Sequence, residues 1–191
     1  MFHRLVKIAI MLNKITTLII LLCVWLMGPI MPACAGTEHG FEREYEIKAA
    51  FVYNFAKFVE WPENKFKNPK APVVLGILGS SPIGTALESL ENKTVRGRQL
   101  TIQPVAAPKN LSQYHMLYIC ESEKSDLKRI IEHLGSQSIL TISDIQDFNK
   151  TGGHINLVIR QNKIRFIINS GAAKKANLKI SSRLLKLSIN N

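Results

Sequence analysis

The chain of 191 residues contains 25 Lys and Arg against 14 Asp and Glu, which gives a formal net charge of +11 at pH 7. Its length suits one domain, and its three cysteines are too few for a disulfide scaffold. The five histidines are dispersed without the spacing of metal ligands, so we expect no metal site and no other cofactor.

The N-terminal segment has the three parts of a secretory signal peptide. Residues 1–14 carry three basic residues and no acidic one, and residues 15–27 are uncharged and mostly apolar. A Gly-Pro pair ends this run, and an Ala-Cys-Ala sequence then supplies a cleavage site of the small-x-small type. We therefore predict cleavage after Ala35, export to the periplasm, and a single mature α/β domain over residues 36–191.

Two other interpretations of this segment stay open. The first is that the apolar run is an uncleaved membrane anchor. Its length argues against this, because a membrane span needs about 20 apolar residues and this run is shorter. Alternatively, Cys34 would carry a lipid anchor, although Pro32 is a poor residue for a lipoprotein signal. Cleavage at Ala35 would leave Cys120 as the only cysteine, at the end of an apolar run where we expect a buried, inert thiol.

The mature domain keeps its positive charge, since cleavage lowers the basic count from 25 to 22 against 14 acidic residues and leaves a net charge of +8. The lysines are scattered along the sequence. Because an exported protein rarely meets nucleic acid, we expect no nucleic-acid partner. The positive charge would then attract an anionic membrane surface, an acidic partner or a small anionic ligand. Alternatively, it is simply exposed to solvent.

The first half of the mature domain alternates helix and strand signals. Apolar residues three and four apart predict a helix over residues 44–61, which Pro62 ends. Short apolar runs of the kind found in buried strands follow, with a second helix between them. The predicted elements are strand 73–78, helix 82–90, strand 99–105 and strand 116–120.

The second half continues this alternation and ends in a hairpin and a helix. The predicted elements are helix 123–134, strand 138–142, a short helix 144–149, a β-hairpin of residues 155–159 and 163–168, and a helical tail 172–187. The tail combines apolar and basic residues, so it would pack on the sheet, contact a second copy or lie on a membrane surface.

Alternating strands and helices are typical of a mostly parallel sheet with helices on both faces. The terminal hairpin adds one antiparallel edge strand. We therefore predict an α/β fold, a three-layer sandwich with a C-terminal β-hairpin.

Several sequence blocks, in order, resemble the YfiR family of exported proteins. The first block is IKAAFVYNFAKFVEWP at residues 47–62, and the others span the rest of the mature domain. These others are residues 73–79 with 81–84, residues 152–157, residues 164–169 and residues 179–187. Agreement of several blocks in the right order is more specific than any one short motif.

The resemblance implies a periplasmic regulator rather than an enzyme. The best understood members of the family repress an inner-membrane diguanylate cyclase through its periplasmic sensor region, and loss of that repression raises cyclic di-GMP and favours biofilm. We therefore expect a negative regulator that binds such a cyclase, forms a homodimer and responds to a small anionic or aromatic ligand. The cysteines that form disulfide bonds in some members have no counterpart here, which argues against redox control.

Two groups of residues are candidates for ligand or partner binding. Arg165 and Asn169 are an even number of positions apart along a predicted strand, so both side chains lie on one face. A guanidinium can form two hydrogen bonds with a carboxylate or phosphate. Lys57, Glu60 and Trp61 end the first predicted helix, where a tryptophan beside charge can anchor a partner or stack on a flat ligand. If this helix end meets the hairpin, all five residues form one pocket.

Each candidate also has a structural interpretation. Trp61 would close the core, and Arg165 would pair with a surface carboxylate. Gly76 and Gly79 would serve a turn and a helix cap rather than an anion site.

The chain has no nucleophile elbow and no zinc-protease helix, so catalysis has no specific support. A periplasmic solute-binding accessory of a receptor or transporter, or an unrecognised hydrolase, are the other functional hypotheses.

Overall fold

A seven-stranded mixed sheet organises the chain in a computed structural model, which describes residues 38–105 and 110–189. The predicted signal peptide lies outside these residues. Among the helices of the described ranges, none is both long enough and apolar enough to cross a membrane.

The strands of the described residues form two sheets. In chain order they are β1 (Val59–Glu60), β2 (Val73–Leu78), β3 (Thr94–Val95), β4 (Arg98–Val105), β5 (Met116–Ile119), β6 (Leu140–Ser143), β7 (Ile155–Arg160), β8 (Lys163–Ile168) and β9 (Lys179–Ile180). The large sheet has the order β3–β4–β2–β5–β6–β7–β8, and β1 pairs with β9 in a small second sheet. Strands β4, β2, β5, β6 and β7 are parallel, and the edge strands β3 and β8 are antiparallel to their neighbours.

The helices connect these strands or follow them. They are α1 (Glu38–Phe58), α2 (Ile83–Glu88), α3 (Leu127–Leu134), α4 (Ser170–Lys175) and α5 (Ser182–Leu187), with 3₁₀ helices at Glu63–Lys65 and Glu121–Asp126.

The predicted α/β class, the mostly parallel sheet and the C-terminal hairpin are confirmed. The hairpin turns at Gln161 and Asn162, whose φ angles of 51° and 55° are those that a two-residue turn of this kind requires. The sheet is strongly curled, a feature that the sequence analysis did not predict.

Alternate side chains of the central strands serve two apolar clusters. Met116 and Tyr118 of β5 belong to the larger cluster, to which α1 contributes Phe55. Leu117, between them in sequence, belongs to the smaller cluster together with Ile130 of α3. Helices therefore cover the sheet on both faces, because neighbouring residues of a strand point to opposite sides.

The predicted short helix over residues 144–149 is wrong, since this segment consists of bends and turns. The buried side chain of Asn156 explains the difference. Its Nδ2 donates hydrogen bonds to the carbonyl oxygens of Ser143 at 3.1 Å and Ile145 at 2.9 Å. Among backbone donors, the Ile145 carbonyl accepts only a turn bond from the Phe148 N–H, at 3.2 Å, and Asp147 has a φ of 59°, which a right-handed helix does not allow.

The predicted helical tail over residues 172–187 is also wrong, because the chain breaks it into α4, β9 and α5. At the break Asn177 has a φ of 54°, a conformation that ends a helix. The intervening strand β9 pairs antiparallel with β1, and the Ser181 N–H donates to the Phe58 carbonyl at 2.9 Å. Residues 59–60, predicted as the end of the first helix, are thereby drawn into strand β1.

Candidate functional site

A cavity of about 1160 Å³ opens at the amino ends of the parallel strands. Val73 and Arg98, the first residues of β2 and β4, contribute to its lining. Open α/β sheets usually bind ligands at the carboxyl ends of their strands. This cavity therefore lies at the opposite edge from the one that the fold class favours.

The small β1–β9 sheet forms one wall of this cavity. Glu60 of β1 and Lys179 of β9 are paired residues in its register, and both line the cavity. Leu178, which is buried, adds an apolar contact beside them. This wall exists because the chain turns back at Asn177. The prediction of one continuous helix over the tail therefore could not include it.

Trp61 lies between the cavity and the core. Only 8% of its surface is exposed, and its Nε1–H donates a hydrogen bond to the His115 carbonyl at 2.8 Å. A buried indole N–H normally has such a partner. The residue therefore closes the core, as its structural interpretation predicted, and it also lines the cavity.

A stack of three side chains lies beside Trp61. The Phe66 ring stacks on the His115 ring with centroids 4.5 Å apart, and the Arg98 guanidinium lies 3.8 Å from the Phe66 ring centroid. Arg98 also donates hydrogen bonds to the carbonyl oxygens of Asn68 and Ala71. These bonds hold the loop before β2 against β4 and give the cavity a fixed aromatic wall.

The charges around the cavity favour an anionic ligand. Glu60 is already paired with Arg96, with 2.8 Å between Oε1 and the guanidinium. The charged residues of the lining are Glu60, Glu63, Arg96, Arg98, Lys174 and Lys179, an excess of two positive charges. With Trp61 and Phe66 in the same lining, the site suits a ligand that has both an acidic group and a flat apolar part.

The other predicted site residues lie elsewhere. Lys57 is exposed and places its Nζ 5.1 Å from the Tyr53 ring centroid. Arg165 is exposed on β8, opposite Val158 of β7. Asn169 accepts the Ala172 N–H at the start of α4 and lines a second cavity of about 640 Å³. The structure thus brings Glu60 and Trp61 together but does not gather all five residues into one pocket.

Sequence analysis missed Phe66, Arg98, His115 and Lys179. The available signal was weak, because Arg98 only follows the turn that contains Arg96 and Gly97, and Phe66 lies in a polar loop without periodicity. Their contribution depends on contacts between segments that are far apart in the chain. The His115 carbonyl, for example, accepts a hydrogen bond from Trp61, which lies 54 positions earlier in the chain.

The carboxyl edge of the strands is occupied by the protein itself. Gly79, which follows β2, has a φ of 89°, and a Cβ there would lie 2.3 Å from Oγ of Ser122. The same Oγ accepts the Ser80 N–H at 2.9 Å. A Cβ on Gly76 would likewise overlap side chains of the core. Close packing inside β2 accounts for Gly76 and the backbone conformation after β2 accounts for Gly79, rather than the turn and helix cap that the sequence predicted.

A buried ion cluster lies farther along this edge. Lys48 of α1 places its Nζ 2.6 Å from Oδ2 of Asp144 and 2.7 Å from Oε1 of Glu44. Burial by itself lowers the pKa of Lys48, but its hydrogen bonds and the charges of these carboxylates outweigh burial and raise that pKa. The lysine is therefore charged at neutral pH and attaches α1 to the end of β6.

We expect Asp144→Asn to lower the free energy of unfolding by about 2 kcal/mol, because hydrogen bonds to charged groups contribute roughly 1.5–3 kcal/mol. Lys48→Met should be less destabilising. It keeps the apolar stem, and the carboxylates left behind are 22% and 28% exposed whereas the lysine side chain is 8% exposed. Denaturant unfolding at neutral pH measures both changes.

Lys128→Met is the control, since the exposed Lys128–Glu132 pair at 4.0 Å should contribute almost nothing. Equal losses for Asp144→Asn and Lys48→Met would contradict this account of the cluster. The stabilisation should be present at neutral pH and disappear as the pH rises through the raised pKa of Lys48.

The described residues offer little for catalysis. In ranges 38–105 and 110–189, no group of three or more His, Cys, Asp and Glu side chains could hold a metal ion. Cys120 is buried, and burial together with Asp144 and Glu123 raises its pKa to about 12. Its thiol is therefore protonated at neutral pH and is a poor nucleophile.

Comparison with known families decides the classification. The family model described as YfiR/HmsC-like matches residues 45–189, which includes every strand and helix α2 to α5 as well as most of α1. The chain belongs to the YfiR/HmsC-like family. This is a family of periplasmic regulators rather than enzymes. The family assignment thus agrees with the resemblance found in the sequence, and the cavity belongs to the matched region.

A solved structure shows the same fold. The crystal structure of a conserved domain protein from Vibrio cholerae O1 biovar eltor str. N16961 is similar with a TM-score of 0.50 at 10% sequence identity, over 75% of this chain. The chain spans 58% of the length of that protein. At this identity the likeness concerns the fold alone. A search of curated proteins found no match.

Proposed function

We propose that this YfiR/HmsC-like protein is a periplasmic negative regulator that restrains an inner-membrane diguanylate cyclase by direct contact. Membership of the family over residues 45–189 is the observation that carries the proposal. In this proposal the signal peptide is cleaved after Ala35, residues 36–191 form the active domain, and that domain acts as a homodimer. Restraint follows if the protein binds the inactive form of the sensor region more tightly than the active form.

The cavity is the proposed point of control. A ligand with an acidic group and a flat apolar part would contact Lys174 and Lys179 with its charge and Trp61 and Phe66 with its apolar part. It would change the affinity for the cyclase only if it binds the free and the partner-bound forms differently. The exposed Arg165 is the proposed contact with an acidic group of the partner, with Lys57 and Asn169 as further candidates.

The test is intracellular cyclic di-GMP in a deletion strain. We expect cyclic di-GMP to rise on deletion, and to fall again when the full chain is supplied but not when residues 1–35 are removed so that the domain stays in the cytosol. Arg165→Ala, exported to the same level, should restore repression less well than the parent. An unchanged cyclic di-GMP level in the deletion strain would contradict the cyclase assignment.

A solute-binding accessory of a receptor or transporter is the second candidate, and the cavity is the observation that favours it. The test is mass spectrometry of small molecules released from the purified protein, compared with Lys174→Gln/Lys179→Gln and with Lys124→Gln/Lys128→Gln as control. A bound solute lost only in the first pair, together with altered uptake and unchanged cyclic di-GMP in the deletion strain, would favour this candidate over the regulator.

A further inference from the structure

The charge of this protein is unevenly divided along the chain. Residues 36–147 contain 13 basic and 14 acidic residues, whereas residues 148–191 contain nine basic residues and no acidic one. The lysines are spread along the chain, but within residues 36–191 the excess of positive charge is confined to residues 148–191. The nine are Lys150, Arg160, Lys163, Arg165, Lys174, Lys175, Lys179, Arg183 and Lys186, and all are exposed.

Among the described residues, most of these cations have no carboxylate within ion-pair distance. Within the described residues, this segment contributes a single ion pair, in which Lys150 lies 2.8 Å from Asp147. The other pairs involve Lys48, Arg96, Lys124, Lys128 and Arg129, which all precede the segment. Its positive field is therefore open to solvent and to any partner of opposite charge.

The segment is also continuous in space, at the edge of the sheet formed by β8. The chain after α5 runs along this strand, where the Ile189 N–H donates to the Phe166 carbonyl at 3.0 Å and Oγ of Ser188 accepts the Ile168 N–H at 3.1 Å. Residues of β8, α4 and α5 also line one cavity together with Lys150. The cations Lys150, Arg160, Lys163, Arg165, Lys175, Arg183 and Lys186 are hereafter called the basic end, whereas Lys174 and Lys179 line the first cavity.

Exposed aliphatic side chains lie among these cations. Ile159, Leu185 and Leu187 are 54%, 39% and 66% exposed, and they are three of the four large hydrophobic residues that are exposed in the described ranges. Lysine and arginine interspersed with exposed aliphatic residues are typical of surfaces that rest on a lipid headgroup layer.

We propose that the basic end binds a membrane surface rich in anionic phospholipid. Four of its seven cations are lysines, which act as point charges and need no fixed geometry of the partner. The aliphatic side chains would enter the headgroup region, a contact that an acidic protein surface does not offer. An acidic protein is therefore the less favoured occupant. The proposal goes beyond the regulatory function and is independent of the identity of the partner.

The experiment is co-sedimentation of the protein, as purified from cells, with phosphatidylcholine vesicles with and without phosphatidylglycerol. We expect binding only to vesicles that contain phosphatidylglycerol, weakened by salt. One variant neutralises the basic end by Arg160→Gln, Lys163→Gln, Lys175→Gln and Lys186→Gln. The control makes the same change in net charge by Lys67→Gln, Lys70→Gln, Lys124→Gln and Lys128→Gln, all exposed positions.

We expect the first variant to lose at least about tenfold in partition onto these vesicles, and the control to bind nearly as the parent does. Equal loss in both variants would reduce the effect to net charge and overturn the proposal. Binding of the parent to polyglutamate but not to phosphatidylglycerol vesicles would also overturn it, in favour of an acidic protein partner. Circular dichroism confirms that both variants are folded.

Discussion

Replacement of Trp61 by alanine is expected to lower the free energy of unfolding by about 3–5 kcal/mol, the range for truncation of a large buried aromatic residue. The change would leave a void beside the core and leave the His115 carbonyl without the indole N–H that now donates to it at 2.8 Å. Guanidinium unfolding followed by circular dichroism measures the loss. A marginally stable domain would lose much of its stability in this way.

Trp61→Phe separates the two contributions of this residue. It keeps most of the apolar contact and removes the donor, so a loss of about 1–2 kcal/mol is expected. Ile159→Ala is the control, because that side chain is 54% exposed. A small effect of Trp61→Ala, similar to that of the control, would show that Trp61 does not stabilise the core. A role in ligand binding alone would then remain for this residue.

Acidification from pH 7 to pH 4 is expected to destabilise the protein through two buried histidines. Nδ1 of His115 accepts the Val74 N–H at 3.1 Å, and Nδ1 of His154 accepts the Thr141 N–H at 3.0 Å. A protonated Nδ1 could not accept these bonds. Burial, with the charges of Lys65 and Arg98 near His115, lowers the pKa of each histidine to about 4.

Acid lowers the free energy of unfolding because the unfolded chain takes up protons that the folded chain does not. Between about pH 6.5 and pH 4 the unfolded chain binds protons at these histidines and the folded chain does not, so acid favours unfolding. Each histidine should account for about 3 kcal/mol of stability that is present at neutral pH and lost toward pH 4.

Asparagine at either position keeps an oxygen acceptor but does not titrate in this range. The free energy of unfolding of His115→Asn and His154→Asn should therefore fall less steeply with pH than that of the parent. Denaturant unfolding at several pH values provides the comparison, with His133→Asn as the control because His133 is exposed on α3. Identical pH dependence in all four proteins would remove the histidines from this explanation.

Strand β2 and the C-terminal hairpin, whose sequence signals are local, were predicted correctly. The buried strand over residues 73–78 has the predicted bounds, because a short apolar run bounded by Pro72 and Gly79 has few other solutions in a sheet. The hairpin around Gln161 and Asn162 was equally visible, since a two-residue turn between alternating runs restricts the pairing register. The family blocks at residues 73–79, 152–157 and 164–169 overlap these elements, and the resemblance was visible in the sequence without tertiary structure.

The candidate site, in contrast, depends on contacts between segments that are distant in the sequence. The tail reads as one amphipathic helix, but β9 forms because β1 offers it a pairing edge, and that partner lies more than a hundred residues earlier in the chain. Arg165 and Trp61 lie apart although Phe55 of α1 packs on Phe166 of β8. They do so because Trp61 follows the helix toward the tail and the start of β4, whereas Arg165 is exposed on the hairpin. Local periodicity carries no information about such pairings, because their free energy comes from contacts between distant segments.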